Sequence, residues 1–199
     1  KLAEVNKLTG VIDVADFDDD AKLGSGKDKV EKLSNLIRIF QDESLDFRKN
    51  RAGGDDIMGD AYEYLIGEFA SGAGKKAGEF YTPRGIVHLM GKILKPKEGE
   101  SIYDPACGSG GMLLEAFQYV KSEGGDTRTL KLYGQEKNLT TSSIARINLF
   151  LHGIKDFKIA REDTLRYPAF LEGDSLAKFD VVIANPPFAL KNWGYDHWA

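Results

Sequence analysis

Helical and extended sequence patterns alternate between residues 83 and 184, and this alternation constrains the fold more than any other feature of the chain. Apolar spacing predicts helices over 83–94, 110–121 and 139–152, and strands over 101–104, 130–135, 156–160 and 179–184. Such an alternation is typical of a mostly parallel sheet covered by helices, with ligands bound at the carboxyl ends of the strands. In the helix over 139–152, we expect the buried face to be marked by Ile144, Ile147 and Leu151.

A glycine-rich turn joins the first predicted strand to the helix that follows it. Its sequence is Asp104-Pro105-Ala106-Cys107-Gly108-Ser109-Gly110-Gly111. Because glycine lacks a side chain, a ligand can approach the backbone of such a turn closely. The turn is not the dinucleotide-binding fingerprint, since no third glycine follows at the required position. It predicts a nucleotide-like ligand, and the alternative is a tight turn without a ligand.

Carboxylates follow the next two predicted strands. Glu136 comes at the tip of the strand over 130–135, where a carboxylate is suited to accept both hydroxyls of a bound ribose. Asp163 and Thr164 follow the strand over 156–160, and the Asp163 carboxylate could hold the amino group of a purine. A single carboxylate at a strand end is usually only solvated, so neither residue is decisive alone.

Upstream of the glycine turn lies Glu79-Phe80-Tyr81-Thr82-Pro83-Arg84. Thr82 followed by Pro83 predicts a helix N-cap and a first helical residue. The unpaired N–H groups and the positive dipole end of that helix would suit the carboxylate of a ligand. An ordinary capped helix is the alternative interpretation.

The last motif is Asn185-Pro186-Pro187-Phe188, directly after the apolar run over 179–184. Each proline restricts its own backbone and that of the residue before it. The Asn185 side-chain oxygen and the Pro186 carbonyl can therefore be aimed at one point, where both would accept hydrogen bonds from a flat amino-bearing group such as adenine. Phe188 could stack on its ring. A proline-rich turn that merely ends a strand is the alternative.

In this order, the motifs resemble those of N6-adenine DNA methyltransferases that bind S-adenosylmethionine, and most closely the modification subunit of type I restriction-modification systems. The resemblance implies an α/β, Rossmann-like methyltransferase fold preceded by an α-helical segment. It implies catalysis by Asn185, Pro186, Pro187 and Phe188. The implied cofactor-binding residues are Glu79, Phe80, Tyr81, Thr82, Pro83, Arg84, Asp104, Ala106, Gly108, Ser109, Gly110, Gly111, Glu136, Asp163, Thr164 and Asn185.

The same resemblance implies a reaction and a set of partners. The reaction is site-specific methylation of N6 on an adenine flipped out of DNA. The implied partners are DNA, a specificity subunit, a restriction subunit and a second copy of the modification subunit. Two alternatives stay open: a protein-glutamine methyltransferase of the release-factor type, and a non-catalytic assembly subunit.

A run of small residues over 70–78 predicts a division of the chain. We expect an α-helical part over residues 1–72 and a methyltransferase domain over residues 73–199. The family continues well beyond the Asn-Pro-Pro-Phe signature. The C-terminal part of the fold, after the fourth strand, is therefore expected to be absent from these 199 residues.

Composition limits the partners and the compartment. The net charge of −4 and the pI near 5.5 argue against a broad basic face that grips DNA, which agrees with DNA affinity supplied by a specificity subunit. Cys107 is the only cysteine, and the three histidines lack ligand spacing, so we expect no metal site. No apolar stretch approaches the ~20 residues of a membrane span, which predicts a cytoplasmic protein.

Overall fold

The computed structural model describes residues 8, 16–42, 57–72 and 81–188. The chain forms two compact units, residues 1–58 and residues 59–199. This division falls within the first turn of the helix over residues 57–72, whereas the predicted domain boundary falls after that helix. The boundary at residue 72 stays a prediction.

Among the described residues of the first unit are the helices α1 (Asp20–Leu23) and α2 (Lys27–Phe40). The Asp19 side chain caps α1 by accepting hydrogen bonds from the backbone N–H groups of Ala21 and Lys22. Lys29 of α2 forms ion pairs with Asp18 and Asp20 at 3.5 and 3.1 Å. The described part of this unit is therefore helical, as the sequence predicts.

The second unit alternates helices and strands. Its helices are α3 (Ile57–Gly72), α4 (Arg84–Leu94), α5 (Gly111–Ser122), α6 (Leu139–Leu151) and a 3-10 turn (Thr127–Thr129). Its strands are β1 (Ser101–Asp104), β2 (Lys131–Gln135), β3 (Phe157–Ala160), β4 (Leu171–Glu172), β5 (Ser175–Leu176) and β6 (Val181–Val182). Within the described ranges, every helix is too short or too polar to cross a lipid bilayer.

Four parallel strands form the main sheet in the order β3-β2-β1-β6, which confirms the predicted parallel arrangement. Ile102 of β1 pairs with Leu132 of β2 on one side and with Val181 of β6 on the other. The strand order reverses direction between β1 and β6. In open α/β sheets, such a switch point opens a crevice at the carboxyl ends of the strands, where ligands bind.

The two faces of the sheet carry different side chains because residues along a strand alternate in direction. On one face, Ile102 and Leu132 pack into a core with residues of α4, α5 and α6, and all members of this core are at most 5% exposed. On the other face, Tyr103 stacks on Phe179 with ring centroids 4.5 Å apart, and Tyr133 meets Phe170 edge-on at 5.1 Å. Helices thus pack on one face of the sheet, and a partly exposed aromatic cluster lies on the other.

The strand predicted over 179–184 is shorter in the structure, because β6 covers only Val181 and Val182. Before it, the Asp180 carboxylate accepts hydrogen bonds from the backbone N–H and the hydroxyl of Ser101 at 2.8 and 2.7 Å. This side-chain cap replaces a backbone ladder at the entry to β6. After the strand, Ile183 still donates its N–H to the Tyr103 carbonyl at 3.0 Å.

The predicted buried face of the third helix is wrong. In α6 the buried residues are Ser142, Ala145, Asn148 and Leu149, whereas Ile144, Ile147 and Leu151 are only partly buried. The reason is close packing against the glycine turn. A Cβ atom built on Gly110 would lie 3.4 Å from the Ala145 Cβ, so the glycine turn leaves room for only a small side chain at position 145.

Gly134 in the middle of β2 tests this close packing. A Cβ atom there would lie 2.6 Å from Ile159 Cδ1 and 2.9 Å from the Cys107 sulfur. We expect Gly134→Ala to lower the free energy of unfolding by about 1–3 kcal/mol through overpacking, measured by urea denaturation. The control is Gly85→Ala on α4, where a Cβ meets nothing within 4 Å and stability should rise slightly or stay unchanged. Equal urea midpoints for Gly134→Ala and the unmodified protein would contradict the packing argument.

Candidate functional site

A cavity lies where the carboxyl ends of β1 and β6 meet the start of α4. Residues from three separate sequence motifs line it: Tyr81, Thr82, Asp104, Ala106, Cys107, Gly108, Ser109, Gly111, Met112 and Asn185. All but Cys107 and Met112 are predicted cofactor-binding residues. The fold therefore brings the three motifs into one place. Glu79 and Phe80, which belong to the first motif, lie outside the described residues.

The glycine loop, residues 104–111, is held from beneath by neighbouring elements. Cys107 donates its backbone N–H to the Gln135 carbonyl of β2 at 3.0 Å, and Ser109 accepts a hydrogen bond from the Asn148 side chain of α6 at 3.1 Å. Gly108 and Gly110 have φ values of +52° and +80°, a region that favours glycine. These contacts fix the backbone of the loop, and its glycines carry no side chain that would cover it.

Asp104 closes β1 with a buried carboxyl group that is 1% exposed. Its Oδ1 accepts a hydrogen bond from the Ala106 N–H at 3.0 Å. Burial raises the pKa of Asp104 to about 7; the Ala106 hydrogen bond opposes this shift, and the nearby negative charge of Glu136 adds to it. Near neutral pH, this group therefore exists in both its neutral and its charged form.

Glu136 follows β2 and is tied to the glycine loop. Its Oε2 accepts a hydrogen bond from the Gly108 N–H at 3.1 Å, and its Oε1 accepts one from the Asn138 N–H at 2.8 Å. A carboxylate offers about four lone-pair directions, so both oxygens retain capacity for further donors. The structure thus places Glu136 beside the cavity, and its role toward a ribose stays a prediction.

Asp163 and Thr164 follow β3 and reach the same region from the side. Burial alone would raise the pKa of Asp163, but the hydrogen bond and the charge of Lys137, whose ammonium lies at 2.9 Å, hold that pKa below its usual range. Thr164 donates its hydroxyl to the Pro105 carbonyl in the glycine loop. Neither residue lines the cavity itself, and their predicted role toward an adenine stays a prediction.

Thr82 does not cap the helix, contrary to the prediction. α4 begins at Arg84, and Pro83 is the residue at the N-cap position, with φ −54° and ψ 133°. The Thr82 hydroxyl instead accepts a hydrogen bond from the Asn185 side-chain amide at 3.2 Å. The extended backbone that a following proline imposes turns Thr82 away from the helix axis and toward the end of β6.

The Asn185-Pro186-Pro187-Phe188 segment follows β6, and its Asn185 lines the cavity. In the structure, Asn185 donates its Nδ2 to the Thr82 hydroxyl, and its Oδ1 faces a different direction. The Phe188 ring is 87% exposed, which is unusual for so large an apolar side chain. An accepting oxygen at the cavity and an exposed aromatic ring therefore lie close together in the sequence.

A second, polar chamber adjoins the cavity and shares Tyr81, Thr82, Ser109 and Gly111 with it. Glu63 of α3, Arg84, Glu115 and Asn148 also line this chamber. Burial raises the pKa of Glu63, while the charges of His152 and Arg84 act in the opposite direction. Sequence reasoning missed Glu63 and Asn148, since neither belongs to a motif. The one available signal is an asparagine, a poor helix former, in the interior of a helix.

The sequence predicts no metal site, yet the structure groups three side chains that have ligand chemistry. Oxygen or nitrogen atoms of Asp60, Glu63 and His152 all lie within 4.8 Å of one another. His152 Nδ1 is hydrogen-bonded to the Asn148 carbonyl at 2.9 Å. Linear spacing could not reveal this group because α3 and the end of α6 are far apart in sequence. The chemistry also suits a simple countercharge of His152 for Glu63.

Comparison with known proteins relates this site to one family. The sequence pattern that describes N-6 DNA methylases matches residues 53–198. The chain is 38% identical over 187 residues to the MpnII type I restriction enzyme methylase subunit of Mycoplasma pneumoniae, covering 89% of this chain and 33% of that protein. The chain thus spans about a third of the length of such curated relatives.

Solved structures show the same likeness. The methyltransferase subunit of a type I restriction-modification system from Streptococcus thermophilus has a TM-score of 0.69 and 33% identity, covering 94% of this chain and 40% of that one. A chain from a structure described as showing complex assembly of the type I system has a TM-score of 0.63 and 25% identity, covering 92% and 41%. The fold is that of S-adenosylmethionine-dependent methyltransferases.

The buried Asp104 should make stability depend on pH. Between about pH 4 and about pH 7, the folded protein retains a proton that an unfolded aspartate releases, so Asp104 lowers stability as the pH rises. We expect Asp104→Asn to gain stability relative to the unmodified protein across this window, by on the order of a few kcal/mol at the upper end. Urea denaturation at several pH values measures the difference.

Asp180→Asn is the control, because the contribution of Asp180 to stability should depend on pH in the opposite direction. Hydrogen bonds from the Ser101 N–H and hydroxyl hold the pKa of Asp180 below its usual range, so its contribution to stability is present above that range and is lost as the pH falls. The loss caused by Asp180→Asn should therefore shrink at acid pH. A difference between Asp104→Asn and the unmodified protein that does not change with pH would refute the assignment for Asp104.

Proposed function

The chain belongs to the N-6 DNA methylase family, and from this membership we propose that it is the modification subunit of a type I restriction-modification system, acting as an adenine-specific DNA methyltransferase. The methyl donor is S-adenosylmethionine, which supplies a methyl group already activated by a sulfonium. The acceptor is N6 of an adenine flipped out of the DNA duplex, because a base inside the stack cannot reach the cavity.

The hydrogen bond between Asn185 and Thr82 is the observation that carries this proposal. The amide nitrogen of Asn185 is occupied by Thr82 at 3.2 Å, which leaves the side-chain oxygen to accept from a substrate. An adenine N6 group carries two hydrogens and needs acceptors. With its nitrogen directed at the Thr82 hydroxyl, the amide presents its oxygen as the acceptor for that group.

In this reaction the protein acts mainly by hydrogen bonding and by positioning the reactants. The N6 lone pair is delocalised into the adenine ring, so the amine is a poor nucleophile. Hydrogen bonds accepted by the Asn185 side chain and the Pro186 carbonyl favour the tetrahedral amine over the flat one, and this stabilises the transition state more than the ground state. The exposed Phe188 ring offers a stacking surface for the extruded base. Positioning supplies most of the rate enhancement.

The residues around the cavity fit the methyl donor, S-adenosylmethionine. The left-handed backbone at Gly108 and Gly110 leaves room for close approach, and α5 begins at Gly111 without a side-chain cap on its first N–H groups. In the proposal, Glu136 accepts the ribose hydroxyls, and Asp163 with Thr164 holds the adenine ring of the donor. Tyr81, Thr82, Pro83 and Arg84 hold its amino-acid end at the start of α4.

Partners complete the proposal. The net charge of −4 leaves little basis for tight DNA binding by this chain alone, so we propose that a specificity subunit supplies most of the DNA affinity. The relatives are named methylase subunits of type I restriction enzymes, which supports assembly with a specificity subunit, a restriction subunit and a second modification subunit. Methylation of chromosomal DNA would take place in the cytoplasm.

Glu136→Gln tests the donor site. Loss of a charge-assisted contact to the ribose hydroxyls should raise the dissociation constant of S-adenosylmethionine about tenfold or more, measured by calorimetric titration. The control is Glu172→Gln in the exposed hairpin of β4 and β5, which should bind as the unmodified protein does. Unchanged affinity in Glu136→Gln would remove the ribose assignment.

Asn185→Ala tests the reaction itself. With the subunits assembled, we expect the single-turnover rate on duplex DNA to fall by about 10²-fold or more, while the affinity for S-adenosylmethionine stays nearly constant. Thr82→Val should also slow the reaction because the Asn185 amide loses its acceptor, and Thr82→Ser, which keeps a hydroxyl, should restore most of the rate.

Substrate choice separates the alternatives in the same assay. Methyl incorporation into duplex DNA but not into a release-factor peptide supports the proposal, and the reverse supports a glutamine methyltransferase. Incorporation into neither, with all subunits present, would point to a non-catalytic assembly subunit. An Asn185→Ala variant that methylates DNA at the normal rate would show that the turn is only structural.

A further inference from the structure

The polar chamber beside the cavity is built like a receptor for a charged group. It shares Thr82, Ser109 and Gly111 with the cavity, so the two spaces adjoin beneath the glycine loop. Its further walls come from α3, α5 and α6, which provide Glu63, Glu115 and Asn148. A ligand that occupies the cavity can therefore extend one end into this chamber.

Asn148 presents an unused acceptor there. Its side chain is 1% exposed, and its Nδ2 donates to the Ser109 carbonyl at 3.1 Å. Because a carbonyl can only accept, this contact fixes the amide orientation and assigns the other atom as oxygen. That oxygen, Oδ1, is buried and has no hydrogen-bond partner among the residues that the structure describes. A buried amide oxygen without a donor is costly, so a donor from a ligand would be favourable here.

Glu63 adds negative charge to the same chamber. Its carboxylate is partly buried, and burial raises its pKa, while the charges of His152 and Arg84 act in the opposite direction. Glu115 also lines the chamber, but it already pairs with His88 Nδ1 at 2.8 Å. The chamber therefore combines a neutral acceptor and a carboxylate, a pair that suits a compact cation with several N–H donors.

We propose that Glu63 and Asn148 bind the α-ammonium group at the amino-acid end of the methyl donor; this rests on the proposed function. An ammonium group carries three donors, so one group can serve both the Asn148 oxygen and the Glu63 carboxylate. Arg84 and the first N–H groups of α4 lie at the same chamber and suit the carboxylate of that amino acid. The two ends of the zwitterion thereby meet opposite charges.

Binding of two ligands that differ only in the amino group tests this assignment. The probes are S-adenosylhomocysteine and its des-amino analogue, in which hydrogen replaces the α-amino group, and calorimetry measures both dissociation constants in the purified protein. In the unmodified protein, removal of the amino group should weaken binding at least about tenfold. In Glu63→Gln, the ratio of the two dissociation constants, des-amino analogue over S-adenosylhomocysteine, should fall to less than about threefold, because the amino group has lost its charged partner.

The ratio of the two dissociation constants shows whether Glu63 contacts the ligand directly or only supports the fold. If Glu63 only supports the fold, Glu63→Gln weakens both ligands equally and the ratio stays at its original value, which overturns the proposal. Glu68→Gln on the exposed side of α3 is the matched control and should leave both constants unchanged. Asn148→Ala gives a second test, because a loosened glycine loop affects both ligands alike, whereas loss of the ammonium contact lowers the ratio.

Failure of the proposed function gives a different result. An unmodified protein that binds neither ligand contradicts S-adenosylmethionine as the donor and removes the proposal with it. An unmodified protein that binds both ligands equally keeps the donor and removes only the ammonium receptor. A tenfold ratio that persists in both Glu63→Gln and Asn148→Ala places the ammonium contact on other residues.

Discussion

The backbone between β1 and α5 must turn sharply over the end of β2, and the arrangement of the whole site depends on that turn. Two glycines in the left-handed region make the turn possible, and neighbouring strands and helices hold it by hydrogen bonds to its backbone. Because the loop rests on α6, that helix must present small and polar residues at the contact. The loop therefore dictates the composition of an element that lies far along the chain.

Local sequence signals predicted the elements well. β1 runs from Ser101 to Asp104, as predicted, and α4 and α5 begin within a residue of their predicted starts. These elements depend on apolar spacing, on glycine and on proline, all of which act over a few residues. The order of the motifs along the chain also predicted that they meet, because parallel strands place their carboxyl ends at one edge of the sheet.

Long-range contacts account for what the sequence could not predict. Thr82 followed by Pro83 looks like a helix cap, yet its hydroxyl serves Asn185, a residue 103 positions away. The buried face of α6 was predicted from hydrophobicity, although the glycine loop leaves room for only a small side chain at Ala145 and bonds the polar Asn148. Glu63 belongs to no motif, and only the packing of α3 brings it to the chamber. The short β4–β5 hairpin pairs two residues on each strand, too few for a sequence pattern.

The position of the single cysteine has a practical consequence. Cys107 lies inside the glycine loop, 5% exposed, with its sulfur 2.9 Å from the position that a Cβ on Gly134 would take. Burial raises the pKa of this thiol well above its ordinary value, so it stays protonated and shielded from reagents while the loop is seated on β2. A maleimide can therefore label the native protein only during excursions in which the loop lifts. The labelling rate therefore measures local opening of the loop, and no cysteine has to be introduced for the measurement.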